Sequence, residues 1–402
     1  MKKIVLAYSG GLDTSCIIPW LKENYDAEIV AFCALLGEVL DVDALKERAK
    51  STGADEFYFM DLKQEFVRDY VFPSLKVGAR YEDNYLLATA LARPLIGKKL
   101  VEIAHKTGAD AIAHGCTGKG NDQVRFELAA AALDDKLEVI APVRVWDLNS
   151  RKAEMEYLKE RDIELEEKGG GKYSIDRNLW GISVECGQLE DPWASPPDDS
   201  YIIVERLKDT PDTPRNIVVE FKDGIPVRVD GVKQDGVDLI ENLNCIGSLH
   251  GVGRVDMVEN RVVGIKSREI YEAPAGTILF KALRSLEALT LERDLLHNKR
   301  KLALEYSRLV YDGKWFSPLR ESIQNFSEAT ASRLTGKVRV QLYKGKATVT
   351  GRKSPSSMYS ENLATYTEKD EFDHKSAKGF IDLWSLPLKV WGRSGRETEN
   401  DS

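Results

Sequence analysis

The chain has 402 residues, enough for two or three domains at roughly 150 residues each, every one able to enclose an apolar core. Apolar residues make up 43% and charged residues 30%, with 57 Lys and Arg against 65 Asp and Glu for a net charge of −8, which excludes wholesale disorder, a fibre, a disulfide-stapled mini-domain and a generally basic nucleic-acid binder. No basic stripe and no apolar run near the ~20 residues of a membrane span breaks that average, so neither nucleic acid nor membrane is expected as a partner.

Up to about Val145, short β-rich apolar runs alternate with amphipathic helical segments. Strands are predicted over 4–8, 28–33, 56–60, 110–114 and 138–141, and helices over Val42–Ser51, stopped by Gly53, and over 86–107, stopped by Gly108. This alternation specifies an α/β fold with a doubly wound parallel sheet, whose ligands sit beyond the carboxyl ends of the strands where the strand order reverses. Lys2 and Lys3 ahead of the first apolar run imitate a signal peptide, but the run is short and passes straight into Ser9, Gly10, Gly11 and Asp13; it reads as a buried first strand.

Residues 151–168 read as a charged helix, after which Gly169, Gly170 and Gly171 interrupt every periodicity and mark a domain junction where two lobes could close on a substrate. An α+β pattern follows: an extended region to Tyr201, strands 217–221 and Ile225–Val229 about an Asp223-Gly224 turn, helical periodicity over 278–333, and a hairpin of 338–343 with 347–350. Gly251 and Gly253 follow no clear strand and read as loop. Phe380, Ile381, Trp384 and Leu388 form an apolar stripe suited to docking on another lobe or subunit, and the polar stretch 393–402 is expected to fray. The domains predicted are therefore 1–168, 172–362 and a C-terminal helix and tail, 363–402. The five cysteines (Cys16, Cys33, Cys116, Cys186, Cys245) are odd in number, widely spaced and lack a Cys-x-x-Cys, which argues against disulfides or zinc and for a reducing, cytoplasmic setting. The five histidines show no metal-ligand spacing.

Ser9-Gly10-Gly11-Leu12-Asp13-Thr14-Ser15 joins the first strand to a helical run. Two adjacent glycines let backbone N–H groups point into one concavity, and the helix start adds partial positive charge, which together suit phosphate. Ser9, Thr14 and Ser15 add hydroxyls, while Asp13 suits a divalent cation accompanying the phosphates. The alternative is a tight turn in which Asp13 or Thr14 caps the helix. Neither a Walker loop nor a Gly-x-Gly-x-x-Gly dinucleotide motif fits the spacing. The segment resembles the pyrophosphate loop, Ser-Gly-Gly-x-Asp-Ser/Thr, of the ATP pyrophosphatase superfamily, with the adenine nucleotide α-hydrolase-like fold that this implies.

A second polar loop, His114-Gly115-Cys116-Thr117-Gly118-Lys119-Gly120-Asn121-Asp122, ends the fourth strand and leads into a helix that carries Arg125 and Glu127. Its mixture of charges fits a zwitterion, and Asn121 and Arg125, four residues apart, can share a helical face. With Tyr8 to Ser15, with Tyr85-Leu86-Leu87, Ala92-Arg93-Pro94, Leu189-Glu190-Asp191-Pro192-Trp193 and the stretches at His250–Asp256 and Tyr271-Glu272-Ala273-Pro274, this block resembles the argininosuccinate synthases along nearly the whole chain. The resemblance implies a ligase that condenses citrulline with aspartate, using ATP with Mg2+, through a citrullyl adenylate, and that assembles as a homotetramer. It also implies an α+β synthetase domain and a C-terminal oligomerisation helix.

Carried over residue by residue, the resemblance assigns ATP to Ala7, Tyr8, Ser9, Gly10, Gly11, Leu12, Asp13, Thr14, Ser15, Ala34 and Gly115. Aspartate falls to Thr117, Asn121 and Asp122, and citrulline to Tyr85, Asn121, Arg125, Ser174, Ser183, Glu259 and Tyr271. Catalytic weight rests on Ser9, Gly10, Gly11, Asp13 and Thr14 through positioning and charge stabilisation, with no general base named and no metal site other than Mg2+ brought by ATP. Leu35, Glu38, Ala88 and Ala90 depart from the family pattern, and Cys116 stands where Ala is usual. That thiol either fills space or, beside a helix N-terminus, has a lowered pKa and is shielded by substrates. A tRNA-adenylating relative would show a basic surface and paired cysteines, and a bare nucleotide-binding module would not need the second polar loop; neither pattern is evident.

Overall fold

The computed structural model describes residues 2–37, 40–163, 165 and 172–400, with side chains to residue 394. The triple glycine expected as a junction and Glu38 lie outside the described residues. The chain forms two compact units, Met1–Ser356 and Ser357–Ser402.

In the first unit, β1 (Lys2–Ala7), β2 (Ala27–Leu35), β3 (Glu56–Asp61), β4 (Ala111–Ala113) and β5 (Glu138–Ile140) make a parallel sheet in the order β3-β2-β1-β4-β5. The apolar runs are continuous because both faces are covered. Ile4, Leu6, Ile29 and Ala31 pack against Ile17, Ile18 and Leu21 of the Leu12–Tyr25 helix and Leu158 of the Arg151–Lys159 helix. Val5, Val30 and Ile112 face Leu91 and Leu95 of the Ala88–Thr107 helix and Phe126 of the Asn121–Leu133 helix. The sheet is therefore doubly wound, and its order reverses between β1 and β4, where a crevice must open beyond their carboxyl ends.

The rest of the unit is antiparallel. One sheet, β11 (Arg254–Asn260), β12 (Lys266–Glu272), β7 (Gly181–Glu185) and β6 (Ser174–Asn178), runs in the order given. The other orders β10 (Val232–Lys233), β9 (Ile225–Val229), β8 (Arg215–Lys222), β13 (Gly336–Tyr343) and β14 (Lys346–Lys353). Ile217, Val219 and Phe221 of β8 and Val338, Val340 and Leu342 of β13 point inward at alternate positions, over the Pro274–Thr290 helix. Asp223 and Gly224, at φ of 50° and 75°, make the two-residue hairpin turn that the sequence predicts. One apolar core runs on from the parallel sheet through Leu179 and Trp180 to both antiparallel sheets.

Several boundaries differ from the sequence reading. The 86–107 helix starts at Ala88, because Leu87 adopts a left-handed conformation at φ 66°. The helix from Arg151 ends at Lys159, where the Ile163 N–H returns to the Leu158 carbonyl and Asp162 turns left-handed. The 278–333 region is three helices, Pro274–Thr290, Arg293–Tyr311 and Pro318–Ala331, since Glu292 and Ser317 cap fresh helix starts. A helical run over 63–77, the Gly236–Leu249 helix and the β11–β12 hairpin had no counterpart in the sequence reading. In the second unit the Phe380 and Trp384 rings stack at 5.5 Å on the His374–Trp384 helix, and the tail expected to fray is helical, Leu386–Asn400. Among the described residues no helix is long and apolar enough to cross a membrane.

Lys299 and Glu287 form a buried ion pair at 2.6 Å, and Lys299 also donates to the Lys76 and Val77 carbonyls. Removing one partner strands a charge in the core. Lys299→Met should lower stability by about 3–5 kcal/mol, read as a depressed thermal midpoint, and adding Glu287→Leu should restore most of the loss.

Candidate active site

Beyond β1 the Tyr8 N–H still bonds the Phe32 carbonyl at 2.8 Å, and the chain then turns through Gly10 at φ 74°, where a Cβ would lie 2.2 Å from Leu45 Cδ2. The Arg48 guanidinium donates to the Gly10 carbonyl at 2.6 Å and pins the turn. Gly11 is the N-cap of the Leu12–Tyr25 helix, and no side chain caps it. Ser9 Oγ accepts the Gly11 N–H at 3.3 Å and lies 3.2 Å from Thr14 Oγ1, which donates back to the Gly11 carbonyl. The hydroxyls thus shape the loop while first-turn N–H groups of the helix stay open to an anion. Neither Asp13 nor Thr14 caps the helix, so the simple-turn alternative does not describe this loop.

The same device recurs beyond β4, where Gly120 is the N-cap of Asn121–Leu133, again without a capping side chain. Both loops open into one cleft of about 670 Å³, a volume in the range of small-molecule sites. Every residue of the expected nucleotide set lines it except Gly10 and Ser15. Ser15 is fully buried, 3.4 Å from the Tyr8 hydroxyl, and faces the core. Ala34 lines the cleft through the end of β2, whereas Leu35 does not.

Of the expected aspartate set, Asp122 lines the cleft; Thr117 is exposed and Asn121 is buried away from it. Arg93, given no role from the sequence, reaches Asp122 at 2.8 Å and Asp176 at 2.6 Å on the cleft wall. Asp122 also meets Arg125 at 2.9 Å. Burial opposes the Asp122 charge, but the two guanidiniums outweigh it and hold the carboxyl below its ordinary range.

Five residues of the expected citrulline set converge behind that wall. Tyr85 and Tyr271 stack at 4.0 Å, and the Tyr271 hydroxyl donates to Glu259 at 2.6 Å. Asn121 and Arg125 join through Tyr311, which sequence reasoning missed: its hydroxyl accepts from Asn121 at 2.8 Å and donates to Glu259, and its carbonyl accepts from Arg125 Nε at 3.1 Å. Burial raises the Glu259 pKa despite both phenols. Ser183 pairs with Tyr271 across β7 and β12, while Ser174, on the same face of the sheet, is exposed beside Glu185. Ala88 and Ala90 are buried at the start of their helix, and Ala88 borders Tyr85 and Tyr271.

Family models cover nearly the whole chain. The model described as the arginosuccinate synthase N-terminal HUP domain matches residues 3–164, and that of the C-terminal domain matches 173–391. The chain belongs to the argininosuccinate synthase family. Curated argininosuccinate synthases from Chlorobium phaeobacteroides (strain BS1) and Chlorobaculum tepidum are 54% and 53% identical, over 97% of this chain and 97% and 98% of theirs. That from Chlorobium chlorochromatii is 52% identical over 98% of both chains. The argininosuccinate synthase fold thus supplies the parallel sheet that carries the cleft.

Two groups near the cleft generate predictions. Burial, with the Asp122 charge, raises the Cys116 thiol rather than lowering it, which favours the space-filling alternative over the reactive thiolate. Iodoacetamide at neutral pH should therefore label exposed Cys245 well before Cys116, by mass spectrometry, whether or not ATP and aspartate are present. Glu154 is buried against Asp13, and desolvation plus that neighbouring carboxyl push its pKa to about 8. It keeps a proton in the folded chain that it releases on unfolding, so stability falls as pH rises from 4.5 to about 8. In nucleotide-free protein, Glu154→Gln should raise the thermal midpoint increasingly across that interval and change little below it.

Proposed function

We propose that the chain condenses L-citrulline with L-aspartate at the expense of ATP, giving argininosuccinate, AMP and pyrophosphate for arginine biosynthesis. The observation that carries this reading is one cleft lined by the glycine-capped start of the Leu12–Tyr25 helix and by Gly115, Cys116 and Asp122 of the second loop and helix, joined by Arg93, Asp122 and Arg125 to the buried tyrosine cluster. Phosphate chemistry fits one end and zwitterion chemistry the other. In this reading residues 7–15 with Ala34 and Gly115 hold ATP. Thr117, Asn121 and Asp122 hold aspartate, and Tyr85, Asn121, Arg125, Ser174, Ser183, Glu259 and Tyr271 hold citrulline.

The ureido oxygen of citrulline attacks the α-phosphorus and pyrophosphate leaves into the β1 loop, where Ser9, Thr14 and the open N–H groups of the helix start meet its charge. The aspartate amine then attacks the activated carbon and AMP departs. No protein nucleophile is required, so the chain contributes alignment and electrostatics. Mg2+ would enter with ATP and offset phosphate charge; Asp13, in the cleft wall, is a carboxylate fit to face it. The five cysteines, all thiols, support a reducing cytoplasmic setting, and the exposed apolar stripe through Phe380 and Trp384 supports docking on another subunit, in the homotetramer that the family resemblance implies.

Steady pyrophosphate release from ATP should require citrulline and aspartate together. Asp13→Asn should cut that release by about a hundredfold and leave citrulline affinity, from equilibrium binding, nearly unchanged. Equal losses in both would remove the nucleotide assignment of the loop.

A further inference from the structure

We propose that Tyr311 is a positioning residue of the amino-acid site, setting the direction in which Glu259 and Asn121 face the substrate. The inference rests on the citrulline reading above and names a residue outside its set. Tyr311 ends the Arg293–Tyr311 helix and is 1% exposed. Its ring lies flat on Tyr81, with centroids 3.5 Å apart and planes at 6°, and meets Tyr85 edge-on at 6.3 Å. Besides Tyr85 it touches three further residues of the citrulline set: Glu259 and Asn121 through its hydroxyl, and Arg125 through its carbonyl and its ring face, 5.0 Å from the guanidinium. Gly313, at φ 78°, makes the close approach possible, since a Cβ there would fall 2.9 Å from Arg125 Cα.

The hydrogen-bond inventory shows what this leaves for a ligand. Asn121 gives one amide hydrogen to the Tyr311 hydroxyl and one carbonyl lone pair to the Val262 N–H at 2.9 Å, which leaves one donor and one acceptor whose directions those two bonds fix. Each Glu259 oxygen already takes one phenol proton, from Tyr271 or Tyr311, so an incoming ammonium must use the remaining lone pairs, whose directions the two phenols fix. Arg125, 3% exposed, has Nη2 buried with no hydrogen-bond partner. An unpaired cationic donor and a carboxylate with free acceptor capacity, held on one tyrosine, complement the two ends of an α-amino acid. Without the hydroxyl, Glu259 would be tethered by Tyr271 alone and free to turn about that contact.

The hydroxyl also bears on charge. Glu259 faces Tyr271 and Glu269 on β12, Tyr311 on the helix, Tyr81, Arg125 and Arg261. Burial raises its pKa, and the two phenols and two arginines oppose that rise. Deleting the Tyr311 hydroxyl removes one opposing bond, so more of the carboxyl is protonated at a given pH.

Tyr311→Phe keeps the ring on Tyr81 and removes only the hydroxyl. The citrulline KM should rise roughly tenfold or more, the size expected for losing a hydrogen bond to a charged group. The ATP KM should stay within about twofold and kcat should change less than KM. The acidic limb of kcat/KM for citrulline should move to higher pH. Gly313→Ala, which presses the chain off Arg125, should raise the citrulline KM in the same sense and serves if Tyr311→Phe does not fold. An unchanged citrulline KM, a lower one, or equal changes for all three substrates without a pH shift would overturn the proposal; a lower one would make Tyr311 an obstruction. Glu259→Gln separates this from failure of the site reading: if it leaves the citrulline KM untouched, the citrulline assignment falls whatever Tyr311→Phe does.

Discussion

A single half-buried guanidinium, held between two aspartates on the cleft wall, ties the site together. Arg93, on the Ala88–Thr107 helix, bonds Asp122 at the start of the next helix and Asp176 on β6. Partly desolvated charges favour being paired, so this triad draws the three elements into register along the cleft wall. The parallel sheet and the antiparallel sheet thereby share one electrostatic joint as well as one apolar core. The second loop lies where it does because its first helical carboxylate is committed to that joint, and Arg125 is held beside it by the same carboxylate.

Around this joint the backbone does work that side chains perform elsewhere. The Val42–Ser51, Arg151–Lys159, Gly236–Leu249 and Pro318–Ala331 helices begin with Asp41, Ser150, Asp235 and Ser317 satisfying an N–H group. The two helices at the topological switch point begin with Gly11 and Gly120 and leave theirs open. Of these starts, the one at Gly11 lines the cleft with its bare first turn, whereas the Arg151–Lys159 helix brings Arg151 to the same cleft with its start capped by Ser150.

Much of this was legible in the sequence because the relevant signals are local. The continuous apolar runs of β1 and β2 announce a sheet covered on both faces, and Gly10 with Gly11 announces the anion-binding turn. The Asp223-Gly224 hairpin depends on two residues. What was not legible depends on distant partners or on capping choices that periodicity overlooks. Glu292 and Ser317 break one apparent helical region into three without disturbing its apolar spacing. Ser15, a plausible phosphate donor by position, turns inward because the helix rotates it towards Tyr8. Tyr311 gathers Asn121 and Arg125 from one helix and Glu259 from β11, partners far from it in sequence that no local pattern announces. Arg93 stood inside a motif that carried the resemblance, yet its two carboxylates lie 29 and 83 residues away in sequence.

Glycine at a helix start is inferior to serine or aspartate by only a few tenths of a kcal/mol. Leaving Gly11 and Gly120 bare therefore weakens the native state hardly at all, unlike a strained nucleophile or an unpaired interior charge. Heat-hardening substitutions elsewhere in the chain can accumulate without any pressure to seal these two openings, so ligand reception and thermal robustness are separable in this architecture.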